Sequence, residues 1–581
     1  MRKQLTALRN LMAQKGIDAY IIPTTDFHGS EYVNDYFKCR KYISGFTGSA
    51  GTLVITQTEA YLWTDGRYFL QAAAQLTDSG IGLMKMGEPG VPTILEYLKE
   101  HLSQEQTIGF DGRVIDFRLG CELEKIAHVS YDMDLAGDVW PNRPSIRPSS
   151  IYPLHVDVTG ETTASKLSRV RSVMKDKNAD YHLITKLEDI AWLFNLRGRD
   201  VANTPVFFAF SLITQTRAFL YVMDESFTGE DVRPYFQIFE DVKTLHPGRI
   251  LLDDSVVSYA LIRSLPPDVE VIPGSNPTEL MKALKNETEI SCTKNAHLKD
   301  GVAMIKFICW LKESMAKYKE EKGNTETISE ISAADYLEQC RRQQAGCYDL
   351  SFSTISGYME NGAIIHYDPT EETNKTLKPE GFLLVDSGGQ YEDGTTDITR
   401  TIVLGPLSQQ MKEHYTAVLR CHIALADCRF PAATSGAVLD ELARRPLRAI
   451  GLDYNHGTGH GVGHLLSVHE GPQTISTKAG NRQVFYPGMI TSNEPGVYLE
   501  NQYGIRLENE ILCVEEESGM LKFETITWCP FERDAVLPQL MTQEELDWLN
   551  RYHAEVYGKI APRLDAHTAA WLKEQTAPIT L

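Results

Sequence analysis

The chain has 581 residues with 42% hydrophobic content, too long for one ordinary core and enough for about three domains of roughly 150–200 residues each. Its formal net charge of -21 repels phosphate backbones and anionic lipid, so nucleic acid and membrane are poor partners, while a ligand with a positive charge, such as the free amine of a peptide, is compatible. The same acidity also serves plain solubility, and composition alone leaves both readings open.

The chain begins MRKQLTALRNLMAQKG, an amphipathic helix without the apolar stretch of a secretion signal. Nowhere does a run of about 18 apolar residues occur, so a membrane span is not expected. Ten cysteines are scattered, with Cys340/Cys347 and Cys421/Cys428 the nearest pairs, and this fits reduced thiols of a cytoplasmic protein better than a disulfide scaffold. Two segments read as linkers: VWPNRPSIRPSSIYP (139–153), with four prolines, and VIPGSNP (271–277), ahead of a helix start at Thr278. The domain limits expected from them are 1–155, 156–285 and 286–581.

The first two pieces resemble each other. LMAQKGIDAYII and later ITQTEAYLWTD in the first answer VMKDKNADYHLI and later ITQTRAFLYVMD in the second. Asp18 corresponds to Asp180, an offset of 162, and Ile55 to Ile213, an offset of 158; a four-residue loop change accounts for the difference. Each copy reads as a helix leading into a short apolar strand, followed by a strand rich in β-branched and aromatic residues. The third piece alternates helices with hairpins. Residues 408–428 carry apolar side chains at 411, 415, 418 and 419 with Ser408 as N-cap, and 381–405 and 489–514 each read as two strands joined by a turn.

These hairpins carry the chemistry. Asp386 closes the apolar strand FLLV and Asp397 lies eleven residues on, so a fold-back brings two carboxylates together, a costly arrangement unless a cation lies between them. Glu494, in Asn-Glu-Pro-Gly (493–496), is fixed by the proline behind it, and Glu508 follows fourteen residues later. Period-two alternation puts Arg506, Glu508 and Glu510 on one face, with Ile505, Leu507 and Ile511 toward the other. Between the hairpins lies NHGTGHGVGHLLSVHEGP (455–472), where His456, His460, His464 and His469, four of the sixteen histidines, fall within fourteen residues. Its glycines argue against an ordinary helix and let the backbone approach a ligand closely. Two Asp, two Glu and at least one His form a mostly hard oxygen set, suited to a pair of Mn²⁺, Co²⁺ or Zn²⁺ ions and hence to hydrolysis.

In this order (Asp, Asp, His within GTGHGVGH, NEPG, GIRLEN) the sequence resembles the pita-bread metallopeptidases, and within them the aminopeptidase P (Xaa-Pro aminopeptidase) group of the long, three-domain type. SGFTGSAGT, WTDGRYFLQAA, IAWLFNLRG and NTPVFF extend the resemblance over the whole chain. It implies an α/β (α+β) architecture: two related creatinase-like N-terminal α/β domains, then a C-terminal pita-bread domain. It implies removal of the first residue from peptides with proline second, by two divalent ions, Mn²⁺ foremost, in a cytoplasmic homodimer. Asp386 would bind one metal, Asp397 and Glu508 would bridge both, and His460 and Glu494 would bind the second and border the substrate. Glu494 would double as general base. His366, in GAIIHYDP, and His469 would contact the substrate and move protons or polarise the scissile carbonyl, His456 would line the proline-side pocket, and Arg67 would reach the peptide from the N-terminal domain of a partner subunit. His464 is outside the pattern and reads as structural. Val497 stands where relatives often carry tyrosine. Prolidase, which shares the metal set but cuts dipeptides, is the alternative, with a non-catalytic peptide-binding relative behind it; methionine aminopeptidase lacks the leading domains.

Overall fold

The computed structural model describes residues 2–321, 327–477 and 483–580. The chain divides into two compact units, Met1–Glu279 and Leu280–Leu581.

The first unit contains two six-stranded mixed sheets of one design. In the first, Ala19–Pro23 lies between antiparallel Thr52–Thr56 and parallel Thr107–Gly109; in the second, Tyr181–Ile184 lies between antiparallel Ala209–Thr214 and parallel Gly248–Leu252. The residues matched in sequence hold matched places. Ile55 stands opposite Tyr20 and Ile213 opposite His182. Asp18 accepts the Thr107 amide at 2.8 Å and Asp180 the Arg249 amide at 2.8 Å. Arg9 donates to the Thr56 carbonyl at 2.9 Å and Arg171 to that of Thr214 at 3.0 Å. Helix Lys3–Lys15 buries Leu8 and Met12, and helix Thr163–Asp176 buries Val170 and Met174 at the same offset. Each fully buried side chain of this kind contributes about 1.5–3 kcal/mol, so the apolar stripe, more than helix propensity, holds each helix to its sheet.

The second unit is organised by helix Glu287–Glu320, which starts in a capping box of Asn286 and Glu289. Helix Gln409–Ala426 begins as expected: the Ser408 hydroxyl accepts the Met411 amide at 3.2 Å, and Met411, Tyr415, Val418 and Leu419 are buried. Each expected hairpin is split between sheets. Phe382–Ser387 pairs with Ile398–Val403, with Asp386 opposite Thr399, while the stretch between them forms its own pairing of Gly389–Tyr391 with Gly394–Thr395. Ile490–Asn493 pairs with Asn509–Glu515 in a six-stranded sheet, whereas Gly496–Leu499 and Tyr503–Arg506 form a separate ribbon. Pro495 has no N–H to extend the ladder, so the chain leaves the sheet directly after Glu494.

Candidate metal centre

The strand interruptions position the acidic side chains. Asp397 stands immediately before strand Ile398–Val403, Glu494 immediately after Ile490–Asn493 and Glu508 immediately before Asn509–Glu515. At these points backbone regularity is released and a side chain can turn toward the junction of the sheets. The alternation read from sequence holds: Arg506, Glu508 and Glu510 are buried on the polar side, and Ile505, Leu507 and Ile511 lie in apolar clusters.

Asp397, His460 and Glu508 converge, each offering a ligand atom within 4.8 Å of the others. His460 Nε2 lies 3.4 Å from Asp397 Oδ2 and 3.4 Å from Glu494 Oε1. Its Nδ1 lies 3.0 Å from the Gly461 carbonyl, which places the proton there and turns the Nε2 lone pair toward the carboxylates. Asp386 joins from the neighbouring strand, its Oδ2 accepting the Arg506 Nη2 at 2.6 Å. Thr399 donates to Glu508 Oε2 at 2.6 Å, and Ser492 donates to Glu494 Oε1 at 3.2 Å. Burial raises the pKa of Asp397, and Asp386 and Glu494 raise it further; burial followed by Asp397 does the same for Glu508. Glu494 is also raised, chiefly by burial and against the pull of His460, Arg506 and His469.

Asp386 Oδ1, Asp397 Oδ1 and Glu508 Oε1 are buried and receive no hydrogen bond among the described residues. Four carboxylates thus face one buried guanidinium, a formal excess of three negative charges in a low-dielectric setting. Such an arrangement is costly as it stands and fits divalent cations that prefer oxygen with one imidazole. The five residues read from sequence as ligands suit that group.

The remaining residues divide. The His469 ring packs edge-on to His460 with centroids 4.3 Å apart, and His469 is close enough to Glu494 to favour its ionised form. His456 is anchored at both nitrogens: Nδ1 lies 2.7 Å from the Gly457 carbonyl and Nε2 2.8 Å from the Tyr498 hydroxyl. His366 is half-buried, and the carbonyl just before it, that of Ile365, accepts from Arg506 Nη2 at 3.3 Å. His464 is buried and hydrogen bonds Thr293 at 3.0 Å. Arg67 belongs to the first unit, where its Nε and Nη2 grip Asp65 at 2.9 and 2.8 Å and its Nη1 lies 3.6 Å from Glu31.

The glycines of the histidine loop also serve sheet packing: a Cβ at Gly459 would meet the Ser492 carbonyl at 1.9 Å, and one at Gly461 the Glu470 carbonyl at 2.1 Å. Val497 faces the apolar core and is 1% exposed, so the following residue, Tyr498, meets the polar site instead. Sequence reasoning placed Arg506 on the right face without giving it a role. Arg506 donates to Asp386, to the Tyr498 hydroxyl at 2.9 Å and to Thr399 Oγ1 at 3.3 Å. Burial works against its charge, but Tyr498, Asp386 and Glu494 outweigh that and raise its pKa. An arginine in register with a ligand-bearing face was the available signal.

Residues 291–515 match metallopeptidase family M24 and residues 519–579 the C-terminal region of M24 peptidases; residues 4–140 and 142–289 each match a creatinase/prolidase N-terminal domain. Aminopeptidase P1 of Arabidopsis thaliana is 37% identical over the full length of both chains. A probable Xaa-Pro aminopeptidase P of Fusarium vanettenii is 40% identical over 99% of this chain and 98% of its own. Among solved structures, the X-prolyl aminopeptidase of Caenorhabditis elegans, described as a cytosolic enzyme with a di-nuclear active site, superposes with a TM-score of 0.93 at 32% identity, covering 99% of both chains. A Xaa-Pro dipeptidase of Bacillus anthracis matches with a TM-score of 0.51 at 25% identity, over 64% of this chain and 99% of its own. The architecture is the expected one, two creatinase-like domains ahead of a pita-bread metallopeptidase domain.

Proposed function

Because the chain belongs to the Xaa-Pro aminopeptidases of metallopeptidase family M24, we propose that it hydrolyses the bond between the first residue of a peptide and a proline in second place, with Asp386, Asp397, His460, Glu494 and Glu508 holding two divalent ions. The chain is a hydrolase and a metalloenzyme by this membership. The observation that carries the site assignment is the group of orphaned buried carboxylate oxygens on Asp386, Asp397 and Glu508. Two bound ions supply a Lewis acid for the scissile carbonyl and a nucleophile available near neutral pH.

The protein's own groups do the rest. Glu494 is the general base, with Ser492 orienting the carboxylate. His469, beside His460, and His366, tethered through Ile365, contact the substrate and pass or steady a proton at the scissile bond. His456, fixed by Tyr498, lines the side of the pocket that takes proline, whose missing N–H and fixed φ suit a snug apolar wall. His460 and Glu494 border the substrate as well as the ions. Arg67 contacts longer peptides from a partner subunit in a homodimer, an assignment supported by the resemblance of its segment. Mn²⁺ is the proposed native ion on the oxygen-rich donor set. Cytoplasmic residence is proposed from the description of the nematode relative as cytosolic, and no helix among the described residues is long and apolar enough to cross a membrane. Domain limits of 1–155, 156–285 and 286–581 accompany this reading.

The test is a comparison of an X-Pro-Y tripeptide with the matching X-Pro dipeptide on Mn²⁺-loaded protein. The tripeptide is expected to have the higher kcat/KM. A preference for the dipeptide would make the enzyme a prolidase.

A further inference from the structure

Among the described residues, three metal-binding side chains converge at one place outside the catalytic centre. Cys309, Glu313 and His567 each offer a donor atom within 4.8 Å of the others. Cys309 and Glu313 stand four residues apart on helix Glu287–Glu320, the spacing that sets two side chains on one helical face. His567 comes from the first turn of helix Ala566–Gln575, where its backbone amide is held by the N-cap Asp565 at 3.0 Å. His567 Nε2 already lies 2.7 Å from Glu313 Oε1. The site has a closed end and an open end: Cys309 is 3% exposed, whereas the side chains of Glu313 and His567 are 43% and 69% exposed.

We propose that Cys309, Glu313 and His567 form a second, thiolate-containing site for a borderline-soft divalent cation, Zn²⁺ foremost, which ties the C-terminal helix to the long helix of the second unit. A sulfur, an imidazole nitrogen and a single carboxylate are the donors of tetrahedral zinc, with the fourth position left to water at the open end. The set differs in kind from the oxygen-rich catalytic centre, so the two sites sort ions by donor softness. The carboxylates of Glu313 and Asp565 favour a cation here, while burial, the larger cause, pushes the Cys309 thiol up to about 12, so a cation has to displace that proton to bind. Binding displaces the thiol proton to solvent and replaces the Glu313–His567 hydrogen bond with two bonds to the ion. Asp565 is occupied as a helix cap, accepting from His567, Thr568 and the Thr568 hydroxyl, and is left to that role.

Cobalt distinguishes this site from the catalytic one, because thiolate-to-cobalt charge transfer absorbs in the near ultraviolet and oxygen and imidazole donors give no such band. Mn²⁺-loaded protein is titrated with Co²⁺, and in a parallel experiment with Zn²⁺ followed by desalting and elemental analysis. Wild-type protein is expected to develop the charge-transfer band, saturating at one equivalent, and to retain one Zn²⁺ beyond the ions of the catalytic centre. Cys309→Ser should lose both. His567→Ala, which leaves the buried thiol and the helix core in place, should lose the retained zinc and most of the band. A wild-type protein without the band, or a band unchanged in His567→Ala, would overturn the proposal.

Discussion

Among the described residues, Arg506 is the guanidinium that donates to a carboxylate of the centre, and its removal should expose how the site balances charge. Arg506→Met takes away the 2.6 Å partner of the buried Asp386 and the 2.9 Å donor to the half-buried Tyr498. Breaking a buried ion pair on one side costs about 3–5 kcal/mol. At roughly 2–4 °C per kcal/mol, metal-free Arg506→Met should melt about 6–20 °C below metal-free parent. With the ions bound, their charge compensates Asp386, so the gap should narrow. That divergence between chelated and Mn²⁺-loaded protein is the signature of charge balance, as distinct from lost packing, which would lower both curves equally. Arg506→Lys keeps the charge but not the planar fork that reaches Asp386, Tyr498 and Thr399 together. It should therefore retain both ions while losing about 10²-fold in kcat, the cost of a misplacement of order 1 Å at a reacting centre. Melting curves with and without chelator, with kcat on an X-Pro-Y peptide, check both. If chelated Arg506→Met melts with the parent, the charge argument fails.

Three further outcomes are expected. Asp397→Ala or Glu508→Ala deletes a carboxylate assigned to lie between the ions, and elemental analysis should find fewer than two metals per chain; two tightly held ions in both variants would contradict the bridging assignment. His469→Ala should lower kcat by about 10²–10⁴ with metal content unchanged, and metal loss would make His469 a ligand instead. His182 in the first unit is buried, with its pKa lowered from 6.5 to about 4 by that burial. The unfolded chain therefore takes up the proton first, and stability from neutral His182 is complete above about pH 6.5 and lost as pH falls toward 4, up to about 3 kcal/mol. The parent melting temperature should drop more steeply across that window than that of His182→Asn, and parallel slopes would refute the assignment.

The parts of the molecule visible in sequence are those where one local rule decides the outcome. The duplicated sheets were visible because Asp18 and Asp180 perform the same task, each closing a strand junction through a backbone amide, so the residue type is repeated with its spacing. The helix at Ser408 was visible because cap and apolar stripe agree. The five acidic and imidazole ligand candidates stood out because carboxylates at such spacing are hard to bury for any other purpose. What could not be read was the splitting of each hairpin between two sheets, since it depends on which partner strand lies alongside. The same limit hid the roles of Tyr498 and Arg506, whose contacts to His456, Asp386 and Ile365 join residues from about 40 to 140 positions apart.

Those splits also explain how the centre is assembled. Asp386 and Asp397 come from the three-stranded sheet, and His460, Glu494 and Glu508 from the six-stranded sheet or its edge. The seam between the sheets is closed by hydrogen bonds independent of any ion, the Glu508 amide to the Thr399 carbonyl at 3.1 Å and the Asp397 amide to Glu510 Oε1 at 2.8 Å, while the Thr401 hydroxyl donates to the Arg506 carbonyl at 2.9 Å and ties in the two-stranded ribbon. Backbone geometry thereby holds the acids together against their mutual repulsion, and cations entering such a prearranged set meet little cost of ordering. Since each sheet supplies part of the set, an ion bound by both resists their separation, and metal affinity becomes part of the stability of the unit. On the proposed assignment the centre would be both the site of chemistry and a clasp between the sheets, so charge changes at Arg506, Asp397 or Glu508 should register in melting curves as well as in turnover.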